Sequence, residues 1–101
     1  MKALEKLGAR LRRRKSGRIH TVDFRPLAPE VDDSQLEPLE GLHSLVELYL
    51  SGSSISDASL APLARHQQLE TLDLQQTQVG NQVFQLVDQL PALKTLVLSG
   101  T

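Results

Sequence analysis

The feature that most constrains this chain is a period. Leu45, Leu48 and Leu50 recur as Leu69, Leu72 and Leu74, and again as Leu93, Leu96 and Leu98, each set 24 residues after the last. Other positions keep the same register. Ser53, Thr77 and Thr101 form one column, Ile55 and Val79 a second, Leu60 and Phe84 a third, Leu63 and Val87 a fourth. Upstream, Val31, Asp33, Leu36, Leu39 and Leu42 stand 24 residues before Ile55, Asp57, Leu60, Leu63 and His66. A partial copy, Ile19, Val22 and Phe24, lies 26 residues before the first full set, so two extra residues fall between Arg25 and Glu30. A unit this small cannot bury its own apolar side chains, so its stability must come from stacking on its neighbours. The composition agrees: twenty Leu, two Phe, one Tyr and no Trp make a core of one aliphatic residue type.

Within a unit, two periodicities alternate. Leu48-Tyr49-Leu50 sends two side chains inward and the middle one outward, as a strand requires. Gly52 and Gly100, each beside a hydroxyl residue, turn the chain out of the strand. The returning segments, Leu60-Ala61-Pro62-Leu63 and Phe84-Gln85-Leu86-Val87, space apolar residues by three, as one side of a short helix does. Pro38 and Pro62 suit the first turn of such helices, where no amide donor is needed. Asp33, Asp57 and Asn81 sit just upstream, where a side-chain acceptor caps free amides.

Read as Leu45-Val46-Glu47-Leu48-Tyr49-Leu50-Ser51-Gly52-Ser53 and Leu69-Glu70-Thr71-Leu72-Asp73-Leu74-Gln75-Gln76-Thr77, the unit resembles the leucine-rich repeat, L-x-x-L-x-L-x-x-N. The resemblance spans residues 19–101 and is closest to short bacterial repeats with Thr or Ser in the Asn column. It implies an α/β solenoid of about 3.5 repeats, with parallel strands on a concave face and short helices on a convex one. A hydroxyl in the Asn column offers fewer hydrogen bonds than an amide, although it can still bond a neighbouring turn's backbone.

Charge divides the chain. Residues 1–18 carry +7 and the remaining 83 carry −8, so the net charge of −1 conceals a basic arm on an acidic body. Leu4, Leu7 and Leu11 lie at helical spacing, which predicts a basic amphipathic helix over residues 1–18 that caps the first repeat. Charges interrupt this stretch too often for a secretory signal, and the expected location is cytoplasmic. Cysteine is absent, which excludes disulfides and thiolate chemistry. At the other end, the sequence given stops just after a strand, so Leu96, Val97 and Leu98 are expected to form an edge for self-association or partner docking.

The outward strand positions form the first candidate site. By column they are Thr21, Glu47, Thr71 and Thr95; then Asp23, Tyr49, Asp73 and Val97; then Arg25, Ser51, Gln75 and Ser99. Tyr49 between Asp23 and Asp73, with Glu47 nearby, suits a basic or amide-rich peptide, Tyr being a common interface anchor. The plainer alternative is a wet polar sheet face. The basic arm, with Arg10, Arg12, Arg13, Arg14, Lys15 and Arg18, is the second candidate. It suits weakly specific contact with nucleic acid or an anionic membrane, or serves only as a solvated cap. A shallow strip without a nucleophile–base pair does not make an enzyme. His20, His43 and His66 are spaced by 23 and miss the repeat register, so no metal site is expected. No Gly-rich phosphate motif occurs, and no cofactor or small-molecule substrate is expected. The sequence therefore points to a non-enzymatic protein-interaction module, an adaptor or assembly subunit, with an electrostatic tether as the alternative.

Overall fold

The computed structural model describes residues 10–13, 15, 19–27, 31, 33, 45–59 and 63–99. Arg14, Arg18 and His43 lie outside the described residues, as do Leu4 and Leu7 of the expected cap helix. The architecture is mixed α/β. Its strands are β1 (Arg10–Arg13), β2 (Ile19–Asp23), β3 (Glu47–Tyr49), β4 (Thr71–Asp73) and β5 (Thr95–Val97), in that order across one five-stranded sheet. A helix, α1 (Val83–Asp88), connects β4 to β5, and single 3₁₀ turns occupy Arg25–Leu27 and Asp57–Ser59.

The 24-residue period becomes the pairing register. β2 to β5 run parallel, with Val22 opposite Leu48, Leu48 opposite Leu72, and Leu72 opposite Leu96. Each strand is short, but the ladder continues beyond it. Phe24 donates to the Tyr49 carbonyl, Leu50 to Asp73, Leu74 to Val97, Gly52 to Gln75 and Gln76 to Ser99. A second line of bonds joins the returning segments, where Ser54 donates to Val31 and Gln78 to Ile55. Identical positions thus meet identical positions, and the apolar ones stack into a single core. Val22, Phe24, Leu48, Leu50, Ile55, Leu69, Leu72 and Leu74 are fully buried there. Burying one Leu side chain stabilises by roughly 1.5–3 kcal/mol, so the stacked Leu ladder is the main source of cohesion. His66, in the column of Leu42 and Leu90, is also buried.

Four expectations change. Residues 10–13 form an antiparallel strand, not a helix, with Arg10 opposite Asp23, Leu11 opposite Val22 and Arg12 opposite Thr21. Arg10-Leu11-Arg12 alternates polar, apolar, polar, which a strand can use as well as a helix can. Pairing satisfies the backbone groups along the free edge of β2, which a helix laid across it would leave unpaired. Leu11 still packs against the core.

The phase of α1 differs by one residue from the expected one. Val83 and Leu86 form its buried side, continued by buried Leu90 just past its end, while Phe84 is 62% exposed. The buried set has spacings of three and four, a truer helical stripe than Phe84 and Val87 alone.

The expected cap from Asn81 is not made: α1 has Gln82 at its N-cap position with no side-chain cap bond. Asp33 and Asp57 reach across to the next unit. Asp33 accepts from the Ser56 amide at 2.8 Å and its hydroxyl at 2.6 Å, and Asp57 accepts from the Gly80 amide at 2.7 Å.

The hydroxyl column bonds its own unit rather than a neighbour. Ser53 donates to the Leu50 carbonyl at 2.6 Å and Thr77 to Leu74 at 2.7 Å. A short hydroxyl side chain reaches the carbonyl three residues back and no further.

Among the described residues, no helix is long and apolar enough to cross a membrane.

Candidate functional site

One face of the sheet packs on the core and the other is open. The parallel register sets the expected rows side by side on that open face: Thr21, Glu47, Thr71 and Thr95, then Asp23, Tyr49, Asp73 and Val97. β1 extends both rows. Arg12 joins the first beside Thr21, and Arg10 joins the second beside Asp23. The concave-strip candidate and the basic-arm candidate therefore meet in one surface. Alternation decides this, since Arg10 and Arg12 are two apart in a strand and share a face.

The centre of the surface is a bonded cluster. The Arg25 guanidinium grips Asp23 with two hydrogen bonds, Nε to Oδ1 at 3.0 Å and Nη2 to Oδ2 at 2.8 Å. The Arg25 amide also donates to Asp23 Oδ1 at 2.9 Å, so one carboxylate ends the strand and orients the cation. That guanidinium lies over the Tyr49 ring, 4.5 Å from its centroid, a cation–π contact. The Tyr49 hydroxyl donates to Glu47 Oε1 at 2.5 Å. Asp73 repeats the strand-ending role of Asp23 by accepting from the Gln75 amide at 3.1 Å. Beside the cluster, His20 Nδ1 lies 2.6 Å from the Thr21 hydroxyl.

The electrostatics follow from these contacts. Partial burial pushes the Asp23 carboxyl upward. Arg25 outweighs that through its side-chain and amide hydrogen bonds and its charge, with help from Arg10, and the carboxyl is held below its ordinary value. Arg25 is raised in turn, chiefly by the bond to Asp23. The Tyr49 phenol is raised, first by its hydrogen bond to Glu47, then by burial and the Glu47 charge, with Arg25 opposing.

The expectation of an aromatic ring among available carboxylates therefore needs revision. Asp23 is neutralised by Arg25, and Asp73 has one oxygen committed to backbone. Glu47 keeps its second oxygen, and Arg12 forms no ion pair among the described residues. A concavity of about 170 Å³ opens over this region, bounded by Arg10 and Arg12 on β1, Thr21 and Asp23 on β2, and Glu47 and Tyr49 on β3.

No family model, curated protein or solved structure matches this chain.

The remaining sites are distributed more loosely. Thr71 and Gln75 are half-buried on the open face, Thr95 is exposed, and Val97 is partly covered. Leu96 and Leu98, expected at the edge, pack partly against the core. Lys15 is exposed in the turn after β1. Lys94 and Glu70, in consecutive units, form an exposed ion pair at 3.4 Å. Such a pair contributes little to stability. Among the described residues, no three side chains of metal-binding type converge.

Sequence reasoning missed the grip of Arg25 on Asp23 and that of Tyr49 on Glu47. Both pairs are two residues apart in or beside a strand, so the period-two rule that placed them outward also placed them within reach of each other.

Proposed function

We propose that the chain is a leucine-rich-repeat solenoid of about 3.5 repeats, acting without catalysis as a protein-interaction module in the cytoplasm. Its binding surface is the concave strip, and it serves as an adaptor or an assembly subunit. The outer side of β5, with Leu96, Val97 and Leu98, is the second surface, where a partner or another copy stacks as β5 stacks on β4.

The observation that supports this best is the shared register. Corresponding positions 24 residues apart line up strand by strand, so side chains remote in sequence form one continuous open surface. Tyr49 at its centre is held from both sides by Arg25 and Glu47, and so meets a partner with little rotamer entropy left to lose.

The test is capture of bound proteins by the full chain, compared across substitutions. Tyr49→Ala and Thr71→Arg are expected to lose partners that wild type retains, whereas Gln85→Ala on α1 keeps them. Equal capture by all four proteins would sink the concave-strip assignment. The electrostatic tether, in which the basic residues hold nucleic acid or an anionic membrane, draws support from exposed Arg12 and Lys15. It demands a steep loss of binding between low and moderate salt and indifference to Tyr49→Ala. Removing residues 1–17 does not separate the two readings, because it removes β1 along with the charge.

A further inference from the structure

The open face is polarised across its strands. On β1 stand Arg10 and Arg12, both exposed, and Arg12 has no ion pair among the described residues. Two strands away stands Glu47, with one oxygen on the Tyr49 hydroxyl and the other available. Between them, on β2, stands Asp23, neutralised by Arg25, whose guanidinium lies over the Tyr49 ring. The surface thus offers a cationic seat on β1 and an anionic seat on β3, with Thr21 between Arg12 and Glu47 and the Arg25–Tyr49 stack alongside the anionic seat. Neighbouring strands are about 4.8 Å apart, so the seats lie about 10 Å apart at their backbones and further where the side chains splay. In an extended peptide, residues facing the same way are spaced by about 6.6 Å or 13 Å, and the second spacing bridges the gap.

We propose that this strip takes an extended peptide segment running across the strands, with an acidic residue over Arg10 and Arg12 and a basic residue four positions along over Glu47. The side chain midway between them passes over Thr21 and the neutralised Asp23 on β2, beside the Arg25–Tyr49 stack. A peptide of one charge sign satisfies one seat and meets repulsion at the other, so the pairing itself supplies selectivity. This inference rests on the concave-strip reading and narrows it to a partner chemistry.

The experiment titrates the full chain with three capped, fluorescein-labelled peptides of equal length, followed by anisotropy. One carries Asp and Lys four positions apart, one carries two Asp, and one carries two Lys, all in a Gly/Thr background. The mixed peptide is expected to bind at least ~tenfold tighter than either other. Arg12→Glu should abolish that margin and improve the two-Lys peptide, and the milder Arg12→Gln should reduce the margin without reversing it. Glu47→Gln should weaken the mixed and two-Lys peptides and spare the two-Asp one. Circular dichroism of each variant confirms folding. Binding of the two-Asp peptide as tight as the mixed one overturns the proposal and leaves only a basic patch. If none of the three binds while Tyr49→Ala still abolishes protein capture, the peptide chemistry is wrong and the concave-strip reading stands. If capture too is indifferent to Tyr49→Ala, both fail together.

Discussion

Gly52 and Gln76 occupy the same place in consecutive units, and both adopt the left-handed backbone, with φ of 78° and 56°. Glycine does this without steric cost, whereas a residue with a Cβ is strained there by roughly 1–2 kcal/mol. Gln76→Gly is therefore expected to stabilise the chain by about 0.5–1 kcal/mol despite its gain in unfolded-state freedom, and Gly52→Ala to destabilise it by about 1 kcal/mol. Urea denaturation of the two variants checks the opposite signs. Tyr49 supplies a second residue-scale test, because it is the only Tyr and no Trp obscures its spectrum. Its phenol is held above the ordinary value of about 10 by the bond to Glu47, so ultraviolet titration should show a late midpoint that Glu47→Gln moves down. The raised value means that its stabilising contribution is complete below the unfolded-state value and is lost as pH rises through the native one. Asp23 has the opposite sign. Its lowered value makes its contribution complete above the ordinary carboxylate range and lost as pH falls through the native value. Asp23→Asn should accordingly flatten the acid limb of the stability–pH curve.

At the scale of elements, the Leu rungs differ by position. Leu72 is fully enclosed between β3 and β5, so Leu72→Ala should cost about 2–5 kcal/mol. Leu96, partly exposed on β5, has fewer neighbours to lose, and Leu96→Ala should cost less in the same denaturation series. Equal losses would argue that the units do not stack as separate rungs. The strands were legible because alternation is strict in Leu48-Tyr49-Leu50 and its copies, and each copy reinforces the others. The phase of α1 was harder to read: in six residues, two apolar pairs, Val83 with Leu86 and Phe84 with Val87, differ by a single step, and packing selects between them. Asp33 and Asp57 bond partners 23 residues on, at a distance no local rule measures.

For the whole molecule, β1 ties the charge asymmetry to the fold. It covers the edge of β2 and brings two arginines onto the open face, so the residues that close the sheet edge also line the concavity. Deleting residues 1–17 is expected to lower the melting temperature and to produce concentration-dependent association in sedimentation, because it uncovers that edge. Unchanged melting and a monodisperse boundary would count against the edge-covering role. Sequence alone determined the repeat length, the positions of β2 to β5, the buried Leu ladder and the columns of the open face. Those properties depend on periods of two and 24 residues, which are written into the order of side chains. Tertiary structure decided that residues 10–13 pair as a strand, that Arg25 silences Asp23 and covers Tyr49, and that arm and strip share one surface. Each of these depends on which groups compete for the same partner in space. An unpaired strand edge or a half-buried carboxylate takes the nearest group that satisfies it, however the local pattern around that group is spelled.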